Sequence, residues 1–227
     1  MLTGFRRRSA RKGRDFGFVR GQMSALGLLV GTAWAMMAVF IFVVLGAICR
    51  LAKIRLFDLL RLLRTELLVV LGTSSSETAI PGMMEKLPAA GVGRAVAGLV
   101  IPAGYSFNLD GVALTLPLST LFVAQVYGIE MSFAQQVSLF VVMLFTSKGA
   151  AGVTGGAFAA LAATVVAAGL PVEGLALLLG IDRFMSLARS ITNTIGNAVA
   201  AVVVAKWDGE FDPKAWDDSV AQAQTAK

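Results

Sequence analysis

Residues 180–197 read Gly-Ile-Asp-Arg-Phe-Met-Ser-Leu-Ala-Arg-Ser-Ile-Thr-Asn-Thr-Ile-Gly-Asn. They lie within a run from Val172 to Ala205 that is otherwise apolar. Wound as a helix at about 100° per residue, the run brings Asp182, Ser186, Arg189, Asn193 and Asn197 onto one stripe roughly 80° wide. Charged groups within an apolar helix are expensive and rarely lack function. Asp182 and Arg189, two turns apart, can neutralise each other, or Arg189 can clamp an external carboxylate through its planar fork. Because the stripe continues two turns past that pair with amides, a polar site facing inward is favoured over an isolated ion pair.

The remaining composition places this helix in a membrane. Of 227 residues, 56% are hydrophobic and 15% charged, against about 25% charged for a soluble domain. The net charge of +6 comes largely from a basic head: Arg6, Arg7, Arg8, Arg11, Lys12, Arg14 and Arg20. With an apolar span following at once, this head reads as a juxtamembrane flank, not a nucleic-acid arm. The sequence contains no histidine, which excludes Ser-His-Asp and Cys-His catalysis, histidine metal ligands and histidine proton relays. A single cysteine, Cys49, excludes an internal disulfide. The apolar run near the N-terminus is too long for a signal peptide and has no small-residue cleavage site.

Working outward along the chain, only 24–49 is a simple span: uncharged, and roughly 39 Å as a helix. Lysine and arginine flank it on both sides, so charge does not orient it. Every later apolar segment is interrupted. Segment 57–90 turns at Gly72-Thr73-Ser74-Ser75-Ser76-Glu77, and 92–127 breaks at Tyr105-Ser106-Phe107-Asn108-Leu109-Asp110-Gly111. Segment 133–169 turns at Thr146–Gly156, and 172–206 carries the polar stripe. A polar tail, 209–227, ends the chain. One pattern thus occurs twice: two short arms around a polar tip, then a helix with polar residues in its middle. Backbone leaves helical form within a bilayer only where protein or a watery cavity satisfies it, so paired interruptions point to a transporter site. The tips read as two re-entrant hairpins.

Each interruption has a chemistry. Ser74-Ser75-Ser76 lies between a helix end and a helix start, where unpaired N–H groups and hydroxyls suit an anion; Ser74-x-x-Glu77 is equally a capping box. The glycines of 149–156 let backbone approach a ligand, but no Gly-Lys-Ser/Thr ends the run, so it is not a phosphate loop. Asn108 and Asp110 beside freed carbonyls suit a small hard cation.

Four ordered motifs carry a resemblance: Gly-Thr-Ser-Ser-Ser-Glu (72–77), Gly-Tyr-Ser-Phe-Asn-Leu-Asp-Gly (104–111), Ser-Lys-Gly-Ala-Ala-Gly-Val-Thr-Gly (147–155) and Gly-Ile-Asp-Arg-Phe-Met-Ser-Leu-Ala-Arg-Ser-Ile-Thr-Asn (180–193). Over about residues 25–208 the chain resembles the dicarboxylate/amino acid:cation symporter family, and most of all its bacterial four-carbon dicarboxylate branch. The resemblance implies an all-α membrane protein of the elevator type, with discontinuous helices and two re-entrant hairpins, multi-pass in the inner membrane and among its lipids. It implies Ser74, Ser75, Ser76, Val153, Thr154, Gly155, Ser186, Arg189, Ser190 and Asn193 around the substrate. Ser106, Asn108, Asp110, Asn193 and Asn197 then surround a co-transported cation, a proton or sodium, with no other cofactor. Relatives that carry amino acids have an aspartate where this chain has Ser186, which favours succinate, fumarate or malate.

Three departures stand out. Asn197 replaces an aspartate of sodium-coupled relatives, Val112 replaces a threonine, and the family's N-terminal half, with its trimerisation scaffold, has no counterpart. The implied homotrimer therefore requires that half to be supplied. Two other readings stay open here: a fragment inactive without the missing half, and an intramembrane enzyme using Ser76 with Lys148 or Asp110.

Overall fold

The computed structural model describes residues 23–147 and 155–225. Among them every regular element is helical, apart from one isolated antiparallel bridge between Val92 and Phe211. Among the described residues three helices are long and apolar enough to cross a membrane by length and composition: Met23–Leu51, the broken helix Arg94–Val126, and Asp182–Trp207.

Helix α1 (Met23–Leu51) buries Leu29, Ala33, Met37, Ile41, Leu45 and Cys49, one residue in every four. A strict four-residue repeat drifts about 40° per step around a 3.6-residue helix. The π-helical turn at Phe40–Leu45, wider by one residue per hydrogen bond, winds that drift back and keeps the stripe facing the protein. The opposite face exposes Leu28, Val39, Phe42, Val43 and Val44.

The first arm of the first helix–turn–helix is two helices, α2 (Leu56–Leu62) and α3 (Arg64–Thr73), offset at Leu63. After the tip a 3₁₀ turn, Ser76–Ala79, leads into α4 (Ile80–Ala89). A buried carboxylate cross-links the arms: Lys86 Nζ donates to Glu66 Oε2 at 2.9 Å, with Glu66 only 6% exposed. Gly82 makes room for it, since a Cβ there would come within 2.5 Å of Glu66 Oε1.

Next come α5 (Arg94–Phe107) and α6 (Asp110–Val126). The break between them is tighter than the sequence suggests: Tyr105, Ser106 and Phe107 remain helical, and only Asn108 and Leu109 leave the helix. Helices α7 (Phe133–Thr146) and α8 (Gly156–Ala167) form the arms of the second hairpin and pack against α6. The tip between them lies outside the described residues.

The final apolar run also differs from expectation. It is not one helix from 172 but a short α9 (Gly174–Leu179), an offset at Gly180–Ile181, then α10 (Asp182–Trp207). The polar residues belong to α10 alone. This helix is central: 78% of its apolar window is buried, against 28% for α1. It packs on α1, α3, α5 and α6.

The polar tail folds as α11 (Pro213–Thr225). Asp212 Oδ1 accepts from the amides of Lys214 at 2.9 Å and Ala215 at 3.3 Å, an N-cap followed by proline at the first helical position. Trp216 and Val220 bury the helix against α2. The amide of Gly93 donates to Glu210 O at 2.7 Å, and that of Asp212 to Gly91 O at 2.8 Å. One apolar cluster joins hairpin one, α5 and the C-terminal half of α10; another joins α6, the second hairpin and α9. The break at Asn108–Leu109 falls between the two.

Candidate functional site

The α10 stripe is buried almost throughout. Ser186 is 4% exposed, Arg189 6%, Ser190 5%, Asn193 4% and Asn197 1%. Of the two partners the sequence leaves open for Arg189, the structure supplies the internal one: Nη2 donates to Asp182 Oδ1 at 2.7 Å. That bond uses one of the guanidinium's five donors. An arginine this deeply placed needs a carboxylate, because a buried unpaired charge is strongly destabilising.

Hairpin one brings its tip to the same helix. Ser74 adopts the left-handed conformation (φ 55°, ψ 31°), and its amide donates to Val70 O at 2.7 Å. Ser190 Oγ donates to Ser74 O at 2.9 Å, so α10 and the serine run are in direct contact. The capping box does not form. Ser75 is extended and precedes a 3₁₀ turn that has no side-chain cap; instead Thr78 Oγ1 donates to Ser75 O at 2.7 Å, and Ser75 N donates to Thr73 Oγ1 at 3.3 Å. Two threonines thus set the tip, and Ser74 and Ser76 are both fully buried.

On its other side the stripe meets the break between α5 and α6. The Gly111 amide, in the first turn of α6, donates to Asn193 Oδ1 at 2.7 Å. Asn197 Nδ2 donates to Ile101 O, nearly two turns before the end of α5, at 2.9 Å. Among the described residues its Oδ1 is buried without a hydrogen bond; the Tyr105 hydroxyl donates to Met83 Sδ at 3.4 Å. Three glycines make this approach possible. A Cβ on Gly104 would overlap the Asn197 carboxamide, one on Gly111 would come within 2.6 Å of Arg189 O, and one on Gly196 would overlap Asp110 Oδ2. Asn108 Nδ2 lies 3.8 Å from that last position.

Four of the five cation candidates, Asn108, Asp110, Asn193 and Asn197, are therefore gathered where the broken helix crosses α10. Ser106, expected to offer its backbone carbonyl, is an exposed residue on the last turn of α5. Val153 and Thr154 lie outside the described residues. Gly155 caps α8 at φ +88°, a conformation that suits glycine. The glycines at 104, 111 and 196 escape a reading based on polar residues, although each lies within four residues of a candidate ligand.

The arrangement offers oxygen acceptors from neutral amides and one carboxylate at the break, a guanidinium one turn away, and buried serines opposite. A cation suits the first group, where an unpaired buried oxygen costs about 1–3 kcal/mol if left unmet. A carboxylate suits the second.

Comparisons with known proteins point the same way. The model of a family described as the sodium:dicarboxylate symporter family matches residues 16–207. The C4-dicarboxylate transport protein of Agrobacterium fabrum is 55% identical over 188 residues, covering 82% of this chain and 42% of that protein. C4-dicarboxylate transport protein 2 of Mesorhizobium japonicum is 54% identical over 193 residues, 85% of this chain and 44% of its own length. The C4-dicarboxylate transport protein of Rhodospirillum rubrum is 53% identical over 193 residues, 85% and 43%. The chain thus spans about two-fifths of the length of the curated relatives it matches. These relatives are named transport proteins, not enzymes.

Proposed function

This chain belongs to the sodium:dicarboxylate symporter family, and from that premise we propose that it forms the substrate-carrying part of a cation-coupled symporter for four-carbon dicarboxylates. The observation that carries the reading is the convergence on α10 of Arg189, the hairpin-one serines and the Asn108–Asp110 break within one buried region.

In this reading one substrate carboxylate exchanges with Asp182 at the Arg189 guanidinium, since a carboxylate already docks there at 2.7 Å. The other is received by Ser75, Ser76 and the second hairpin through Val153, Thr154 and Gly155. Ser186, neutral and short, offers nothing to an α-ammonium group, so succinate, fumarate and malate are favoured over aspartate. Asn108, Asp110, Asn193 and Asn197 hold the co-transported cation. Asn197 is a neutral amide whose Nδ2 donates to Ile101 O, where sodium-coupled relatives carry an aspartate, and this favours protons over a full sodium set. The two hairpins are re-entrant, the protein is multi-pass in the inner membrane and contacts its lipids, and it assembles as a homotrimer once a scaffold half is present.

The test is uptake of radiolabelled succinate in a strain without dicarboxylate transport. The chain is expressed alone, and also joined behind the N-terminal part of the Agrobacterium fabrum relative. Saturable uptake, competed by fumarate and malate but weakly by aspartate, is expected from the joined form. Membrane-inserted protein that binds and transports no dicarboxylate in either form overturns the proposal.

A further inference from the structure

The hairpin-one tip is held by more than the serine contact. Helix α3 ends at Thr73, and the last carbonyls of any helix lack partners within it. Here the last two, and the carbonyl of the capping residue that follows, are taken up by α10. Arg183 Nη2 donates to Gly72 O and Nη1 to Thr73 O, each at 3.2 Å, and Ser190 Oγ donates to Ser74 O at 2.9 Å. Arg183 and Ser190 are seven residues apart, two turns, so they stand about 20° from each other on the helix surface. Their stripe borders the one that carries Asp182, Ser186, Arg189, Asn193 and Asn197. Arg183 therefore faces the hairpin backbone, and its exposed side chain stands outside the buried cluster.

We infer that Arg183 is a positioning residue, a clamp that fixes the hairpin-one tip on α10 and so sets where Ser74, Ser75 and Ser76 stand relative to Arg189. Two features of the site call for such a clamp. Ser74 holds a left-handed backbone, which side-chain-bearing residues adopt at a cost and keep only when their surroundings enforce it. The carbonyls at a helix C-terminus also carry its negative dipole end, where a cation is favoured. Arginine fits because its planar fork places two N–H groups against two successive acceptors; lysine, a point charge on a flexible stem, does not bridge them in that way. The adjacent Asp182 turns to Arg189, so the first turn of α10 holds the guanidinium of the site with one residue and the opposing tip with the next.

This inference rests on the proposed dicarboxylate site for its consequence but not for its test. Cys49 is the single cysteine of the chain and is fully buried, so a Ser75→Cys reporter at the half-buried tip labels against little background. With the full chain in native membrane vesicles, reaction of Ser75→Cys with a membrane-impermeant maleimide is timed in three backgrounds: Arg183, Arg183→Lys and Arg183→Gln. Loss of the two-carbonyl clamp is expected to raise the labelling rate by roughly tenfold in both variants, the scale of one or two modest hydrogen bonds. Ser190→Ala, which removes only the third bond, should give a smaller rise in the same direction and guards against misfolding of the arginine variants. In the joined transporter, Arg183→Lys should raise KM for succinate severalfold with little change in kcat. Labelling unchanged in every variant overturns the clamp. So does Arg183→Lys matching the parent while Arg183→Gln does not, since positive charge alone would then suffice. A labelling response without any succinate transport would leave the clamp standing and remove the dicarboxylate reading.

Discussion

At the scale of single residues, the proposed function assigns recognition to Arg189 and Ser186. Arg189 is buried, and Asp182 accounts for its charge in the structure described. Removing a buried charge partner typically costs about 3–5 kcal/mol, so Arg189→Ala should weaken succinate binding by more than about a hundredfold. Equilibrium binding to the joined protein measures this, and unchanged affinity would remove Arg189 from the site. Ser186 sits one turn earlier and is equally buried. An aspartate there would stand within reach of an α-ammonium group and would repel a second carboxylate. Charge-assisted hydrogen bonds contribute about 1.5–3 kcal/mol, so Ser186→Asp should shift the aspartate-to-succinate preference roughly tenfold or more in a competition assay. A mutant that keeps its native preference would show that Ser186 merely packs.

At the scale of elements, the glycine contacts decide how closely α10 approaches the broken helix. A Cβ on Gly196 has no room beside Asp110, whereas one on Gly98, in the middle of α5, meets nothing within 4 Å. Gly196→Ala should therefore destabilise by about 1–3 kcal/mol, as overpacking does, and should weaken cation binding as Asp110 is pushed aside. Gly98→Ala should instead stabilise α5 by about 0.5–1 kcal/mol. Thermal unfolding in detergent compares the two, and equal midpoints would contradict the close approach. The sequence makes some of these elements legible and hides others, for physical reasons. The α10 stripe reads directly, because polar residues in an apolar helix leave a periodic trace. The interruptions at 72–77 and 108–111 read because freed backbone demands small or polar neighbours. The offset at Gly180 does not read, since an apolar run looks alike whether one helix or two. Helix α11 is hidden by its polar composition, although Asp212-Pro213 is a helix-start signature. The Asp182–Arg189 pair is visible as one of two options, but spacing alone cannot choose between an internal and an external carboxylate. Arg183 falls about 100° from Asp182, off the stripe, and nothing local shows that a distant hairpin end covers it.

At the scale of the whole molecule, three helices capable of crossing a membrane surround and include the site. The chain should resist alkaline carbonate extraction, and recovery in the soluble fraction would contradict the membrane reading. Uptake by the joined protein should fall steeply when both sodium and proton gradients are collapsed, because an uncompensated dianion is excluded from the bilayer interior. The Arg189–Asp182 contact carries a consequence for how that uptake answers to voltage. Two opposite charges 2.7 Å apart on one helix are electrically silent to a field across the membrane. A dicarboxylate that exchanges with Asp182 leaves the sum unchanged, so the protein itself offers no counter-charge for the cargo. Asp110 adds a further negative charge beside the break. On the proposed reading, with an ionised Asp110 counted beside the buried pair, neutrality of the buried loaded site calls for three monovalent cations per dianion, and each cycle would carry one net positive charge inward. An interior-negative potential of about 100 mV contributes about 2.3 kcal/mol per charge moved, close to a fiftyfold gain in accumulation. Valinomycin-clamped vesicles should accordingly concentrate succinate more strongly as the interior becomes more negative, and a flat response would mean that only two cations travel with it.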